Sequence, residues 1–172
     1  KLPDIFMLKG PWSNWESNIS RDNPSWATTD VQENLSQYNL MKIGDYVIFQ
    51  NNTADLGPYN GVGYFGIGKI TKLFDSSEPF FVDEIEAGKI LWQKRLEFEI
   101  IKKVDADQMI PRIDGLPKTK GLSRIANEDN IRKLLEEIES KWGTIIRTKL
   151  ITFHPSYSYE DFMEGIRPKT IG

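Results

Sequence analysis

Apolar and polar positions alternate along this chain in two rhythms, one of strands and one of helices. Asp4-Ile-Phe-Met-Leu8 is a continuous apolar run of the length of a buried strand. Ser13-Asn-Trp-Glu16 has capping-box spacing and predicts a short helix that Asn23-Pro24 ends. Asp30-Val-Gln-Glu33 repeats the acidic cap pattern. Val31, Leu35 and Tyr38 then fall at helical spacing, so a second helix is expected up to about Leu40. Gly44-Asp45 turns the chain into Tyr46-Val-Ile-Phe-Gln50, a β-rich strand, and residues 51–60 form a polar loop with Gly57-Pro58. A long strand is expected over 62–74, interrupted by Gly63, Gly66 and Gly68. In Leu96-Glu-Phe-Glu-Ile100 apolar and acidic residues alternate, the mark of a half-buried strand. Residues 111–121 read as loop. From Asn127, Ile131, Leu134, Leu135 and Ile138 share one helical face, with acidic residues in the first turn and Gly143 as the stop. Residues 145–153 read as one more strand. The expectation is an α+β, barrel-like domain of about five strands around about three helices.

With 172 residues, 39% of them hydrophobic and 12% aromatic, the chain can bury one sizeable core. It has no cysteine and one histidine, His154, which excludes disulfides, thiolate zinc sites and imidazole metal clusters. No apolar run approaches the roughly 18 residues of a membrane span and no signal peptide is visible. A cytoplasmic protein without a membrane partner is therefore expected. A formal charge of −3 and a pI near 5.3 argue against indiscriminate coating of nucleic acid, although they allow a local basic rim around a specific pocket. Trp12, Trp15 and Trp26 crowd the first 26 residues, which raises the odds of a stacking surface.

Two patterns that resemble catalytic motifs dissolve on inspection. In Gly61-Val-Gly-Tyr-Phe-Gly-Ile-Gly68 the glycines lie inside a strand, and Lys69 is followed by Ile70 rather than Ser or Thr, so this is no phosphate loop. Strand glycines mark a bulge or a close backbone approach instead. Glu97 and Glu99 share one strand face that alternation already assigns to solvent, which leaves no carboxylate cluster for metal-assisted hydrolysis. Neither catalysis nor a cofactor is expected of this chain.

The stretch Ile151-Thr-Phe-His-Pro-Ser-Tyr-Ser-Tyr-Glu-Asp-Phe-Met-Glu-Gly-Ile-Arg-Pro168 resembles a segment of the McrB-type AAA+ GTPases, motors of restriction systems that attack modified DNA. The phosphate-cradling loop of such a motor is absent from the sequence. The resemblance implies that 145–172 is a fragment of an AAA+ motor domain and that 1–144 is a separate domain. It also implies an McrC-like nuclease subunit as a partner through the parent protein. The chain begins at Lys1 and stops at Gly172 in mid-segment, as expected of a piece of a longer polypeptide.

Residues 4–142 resemble the YTH and EVE domains, PUA-like readers of modified nucleobases. The features that carry this are Leu8-Lys9, Asn14-Trp15-Glu16, Ser25-Trp26-Ala27, Met41-Lys-Ile-Gly-Asp-Tyr-Val-Ile-Phe49, Gly63-Tyr-Phe-Gly-Ile-Gly68, Trp92 before Arg95-Leu-Glu-Phe-Glu-Ile-Ile101, and Gly121-Leu-Ser-Arg-Ile125, in that order. The resemblance implies an open β-barrel of about five or six strands flanked by about three helices. It also implies an aromatic cage around the methyl group of N6-methyladenine, built from Trp26, Phe81 and Trp92. Asn14 would bond the base edge, with Trp15 beside it, and Pro11 stands where YTH members can carry a second polar reader. Lys9, Lys118, Lys120 and Arg124 would form a phosphate-contacting rim. The residue types suit the task, since stacking a base on aromatic rings is worth about 1–3 kcal/mol. Burying one methyl adds roughly 0.8 kcal/mol. The expected ligand is methylated DNA, flipped into the cage. A modified cytosine, a YTH-type RNA ligand, and a purely structural assembly module with a closed core stand as alternatives.

Overall fold

The computed structural model describes residues 3–28, 31–52, 62–118 and 121–143. The motor-like strip at 145–172, with the strand expected over 145–153 and His154, lies outside the described residues, as do Lys120 and most of the 51–60 loop.

The chain order is β1 (Ile5–Gly10), α1 (Trp12–Ile19), β2 (Ser25–Ala27), α2 (Gln32–Tyr38), β3 (Tyr46–Asn51), β4 (Gly63–Asp75), α3 (Val82–Ala87) and β5 (Lys94–Lys103). A 3-10 turn over Ala106–Gln108, β6 (Ile110–Pro111), β7 (Leu122–Arg124) and α4 (Glu128–Trp142) complete it. The strands form one sheet in the order β2-β5-β4-β3-β1-β7, and β6 pairs with the start of β4. The architecture is mixed α+β. β1 and β3 pair in parallel, which requires a crossover, and the α1–β2–α2 segment supplies it. Every other described pairing is antiparallel.

β4 carries the curvature. Its register shifts once against β3, at Phe49/Gln50, and twice against β5. Each shift sharpens the local twist. A Cβ at Gly66 would stand 2.5 Å from Phe49 Cδ2, and one at Gly68 would stand 2.8 Å from the Glu99 carbonyl. These glycines thus let the Phe49 ring lie across the strand, the close approach expected of glycine inside a β run. On the outer side, Lys69 faces Glu99, Lys72 faces Glu97, and Asp75 faces Lys94 with an ion pair of 2.9 Å. Opposite charges directly across a ladder stabilise the pairing modestly, which accounts for the placement of both glutamates opposite lysines.

Both helix starts expected at acidic or hydroxyl caps form differently. α1 opens at Trp12 with Pro11 at its N-cap, so Ser13 and Glu16 lie inside the helix. Proline suits a helix start because its φ is preset and its missing N–H would be unpaired there anyway. α1 stops at Ile19, well before Pro24, and the Asn18 side chain grips both backbone groups of Ser25. α2 has Val31 at its N-cap, exposed rather than packed, and ends at Tyr38. Its buried positions are Asn34 and Tyr38, one turn apart. α4 follows the sequence closely. Asn127 Oδ1 accepts the Asn130 N–H at 3.1 Å, and Leu134, Leu135, Ile138 and Trp142 are buried.

Between β4 and β5 the chain is organised by a fully buried carboxylate. Glu84 Oε1 accepts the backbone N–H groups of Phe80 (3.2 Å) and Phe81 (3.1 Å), while Oε2 accepts those of Leu91 (2.9 Å) and Trp92 (3.2 Å). Arg95 Nη2 closes on Oε1 at 2.5 Å, and Arg95 Nε donates to the Trp92 carbonyl at 3.2 Å. Tyr38 Oη donates to the Arg95 carbonyl at 2.6 Å. Burial alone would raise the Glu84 pKa, but the backbone donors and the Arg95 guanidinium outweigh it and hold the carboxyl below its ordinary range.

Removing one partner of a buried pair strands the other charge. Glu84→Gln is therefore expected to cost about 3–5 kcal/mol in chemical denaturation, and Glu84→Gln with Arg95→Met should recover much of that loss. Because the folded-state pKa is depressed, this stabilisation is complete above the ordinary Glu value near 4.5 and disappears as pH falls through the lower folded value. A Glu84→Gln protein within 1 kcal/mol or so of wild type would show that the pair is not the anchor described here.

Candidate functional site

β1 ends at Gly10 and the chain turns at Pro11 into α1. At that corner the Trp26 indole lies so close that a Cβ on residue 10 would stand 2.5 Å from its Cζ2 and 2.7 Å from its Cη2. Trp26 comes from β2, paired across from Leu96 of β5. Behind it Trp15 stacks with ring centroids 3.8 Å apart and planes inclined by 17°. Trp15 is in turn packed by Phe49 and Phe65, and its Nε1 donates to the Gln50 carbonyl at 3.1 Å.

On the other side Phe81 meets Trp26 edge to face at 5.6 Å, and Trp92 meets Phe81 in the same manner at 5.6 Å. Trp26, Phe81, Trp92 and Asn14 line a single cavity of about 140 Å³, together with the Lys9-Gly10-Pro11 corner, Thr28, Asn34 and Gly121. Phe81 and Trp92 are the residues whose backbones Glu84 holds, so one buried carboxylate positions two of the three aromatic walls. Trp26 and Phe81 are buried, at 5% and 2% exposure, whereas Trp92 is half-buried and marks the open side. Asn14 is 7% exposed, and its Oδ1 has no hydrogen-bond partner among the described residues.

The residues singled out from the sequence thus separate into groups. Trp26, Phe81, Trp92 and Asn14 share one cavity. Trp15 does not reach it: with no exposed surface, it is the plate on which Trp26 rests. Lys9 is on the wall, with its Nζ donating to the Lys118 carbonyl at 2.8 Å and its backbone N–H to the Gly121 carbonyl at 2.9 Å. Burial lowers the Lys9 pKa and the nearby Arg112 lowers it further, so Arg112 adds a third cation to the Lys9–Lys118 side. Arg124 lies apart from this group. β7 runs antiparallel to β1 and places it opposite Phe6, four residues from Gly10 and so about 13 Å along the strand. Its guanidinium is directed to Asp4 at 3.5 Å rather than to the mouth. Lys120 lies outside the described residues.

Thr28, Asn34 and Arg112 were not identified from the sequence. Asn34 was legible in principle, because a polar residue one turn before Tyr38 shares that residue's inward face. Among the described residues no group of three or more His, Cys, Asp or Glu side chains could hold a metal ion, and no helix is long and apolar enough to cross a membrane.

No family model matches the sequence, and no curated protein matches it. Solved structures that match include a hypothetical protein from Leishmania major, 13% identical, covering 80% of this chain and 96% of that one, with a TM-score of 0.46. Protein Atu2648 from Agrobacterium tumefaciens is 13% identical, covering 78% of this chain and 92% of that one, with a TM-score of 0.47. Human THYN1 protein, solved in complex with 5-methylcytosine containing DNA, is 11% identical, covering 78% of this chain and 97% of that one, with a TM-score of 0.46.

Proposed function

We propose that this domain reads a modified nucleobase, holding the extruded base between Trp26, Phe81 and Trp92. The observation that carries the reading is convergence. Three aromatic side chains distant in sequence meet around one cavity beside an unpartnered carboxamide oxygen. A purely structural core fills its space at close to crystal density and pairs its buried polar atoms. Trp26 is buried enough to suit such a core, but the cavity, the half-exposed Trp92 and the unpaired Asn14 favour a guest.

The leading base is N6-methyladenine in DNA, for which rings on several sides supply stacking and a dry place for the methyl. The size of the cavity favours a second reading, a modified cytosine. About 140 Å³ is close to the roughly 150 Å³ hole that takes one benzene ring in an engineered protein core, so a pyrimidine enters with less movement than a purine. The motor-like strip supports DNA rather than RNA, and supports service as the targeting domain of an McrB-like, GTP-driven restriction motor with an McrC-like nuclease. On this reading the domain works in the cytoplasm without a cofactor or catalysis of its own.

The test is a binding panel of DNA and RNA oligonucleotides carrying N6-methyladenine, 5-methylcytosine or no modification. A fully buried methyl should favour the modified ligand by about fourfold. Trp92→Ala should weaken the modified ligand by about 1–3 kcal/mol with the fold unchanged. Trp26→Ala is the poorer probe, because removing a buried tryptophan costs roughly 3–5 kcal/mol of stability. Equal affinity for modified and unmodified ligands throughout the panel would eliminate the reading. Lys118→Ala should instead weaken modified and unmodified ligands alike and flatten the salt dependence of binding, since phosphate contacts carry no base information. Loss confined to the modified ligand would place Lys118 at the base.

A further inference from the structure

Aromatic rings gathered around a cavity attract cations, because the faces of such rings are negative; quaternary ammonium ligands are recognised in this way. Methylated bases fall into two charge classes. A methyl on an exocyclic amine or on a ring carbon leaves the base neutral, whereas a methyl on adenine N1 or cytosine N3 leaves it positively charged at neutral pH. The rings alone do not select the neutral class. The charges set around them do.

Arg95 stands with its guanidinium carbon 5.2 Å from the Phe81 ring centroid, inside the range of about 6 Å over which a ring attracts a cation. That aromatic wall is thus already engaged by a positive charge. Phe80, packed against Phe81 with centroids 5.1 Å apart, carries Arg21 at 3.9 Å and Arg95 at 5.3 Å. Among the described residues that line the cavity, Lys9 is the charged one and none is a carboxylate. A further cation, Arg112, lies close enough to Lys9 to act on it. Glu84 neutralises Arg95 but has no exposed surface, and four backbone N–H groups and Arg95 occupy its carboxyl. It offers a guest no contact. A cationic base entering this cavity would therefore give up its hydration without finding a counter-ion, and it would meet like charge instead.

We infer that the site sorts methylated bases by charge, accepting those that methylation leaves neutral and rejecting those that it makes cationic. The inference rests on the nucleobase reading above and deepens it. The ligand class becomes the mark carried on an amine or a ring carbon, and bases alkylated at a pairing nitrogen are shut out.

The experiment measures binding of the full chain to matched single-stranded DNA oligonucleotides carrying N6-methyladenine or its isomer 1-methyladenine. 5-Methylcytosine and its isomer 3-methylcytosine form a parallel pair, with unmodified strands as references. At neutral pH the neutral isomer of the bound pair should be preferred by at least about tenfold. Raising the pH until the cationic isomer loses its proton should narrow that gap. Lys9→Glu, which reverses the charge at this position, should narrow it at neutral pH. The ratio is the readout, because phosphate attraction is common to both isomers. Equal or tighter binding of the cationic isomer at neutral pH overturns the inference, as does a gap that survives either change, which would be one of shape. In those cases a methylated strand that still outbinds its unmodified reference leaves the nucleobase reading standing. If no methylated strand outbinds its reference, that reading fails and the inference fails with it.

Discussion

A carboxylate with no exposed surface sets the geometry of this site. Glu84 gathers the backbones of Phe80, Phe81, Leu91 and Trp92, and Arg95 neutralises it from β5. α3 is only six residues long, too short to hold itself in place by its own hydrogen bonds. The charged pair therefore does what helix length and apolar packing do elsewhere. Burying two charges is costly, and the geometry repays it through five contacts to a single carboxyl group. Arg95 also lies 5.3 Å from the Phe80 ring centroid and 5.2 Å from that of Phe81, so the same cation steadies the aromatic side chains whose backbones its partner holds.

From this anchor the site is assembled by layers. Phe49 and Phe65 of the sheet pack Trp15, Trp15 backs Trp26, and Trp26 presents its remaining surface to the cavity. Gly10 leaves room for the indole edge, so the corner between β1 and α1 is part of the wall. Lys9, from the end of β1, lines the cavity and bonds the Lys118 carbonyl, with Arg112 near enough to lower its pKa.

Much of this was legible in the sequence, for reasons that differ by element. β3, β4, β5 and α4 are long enough for their apolar periodicity to show, and all four lie where it places them. β2, β6 and β7 have two or three residues each and leave no periodic trace. α3 was invisible because its integrity comes from an ion pair between residues eleven positions apart rather than from its own pattern. Among the tryptophans, residue type could not say which ring would face the cavity and which would support it; the stacking of Trp15 on Trp26 decides that. Arg124 sits three residues after the cavity residue Gly121, and only the antiparallel course of β7 reveals that the chain carries it away.

The central claim is that a modified base enters the space between Trp26, Phe81 and Trp92. Isotope-filtered NMR of the labelled protein with an oligonucleotide carrying a methylated base tests it most directly. If the account is right, the base methyl protons move upfield under the ring currents and show intermolecular contacts to ring protons of Trp26, Phe81 and Trp92. Saturable binding in which the methyl resonance stays unshifted, with contacts only to residues outside the cavity, would contradict it.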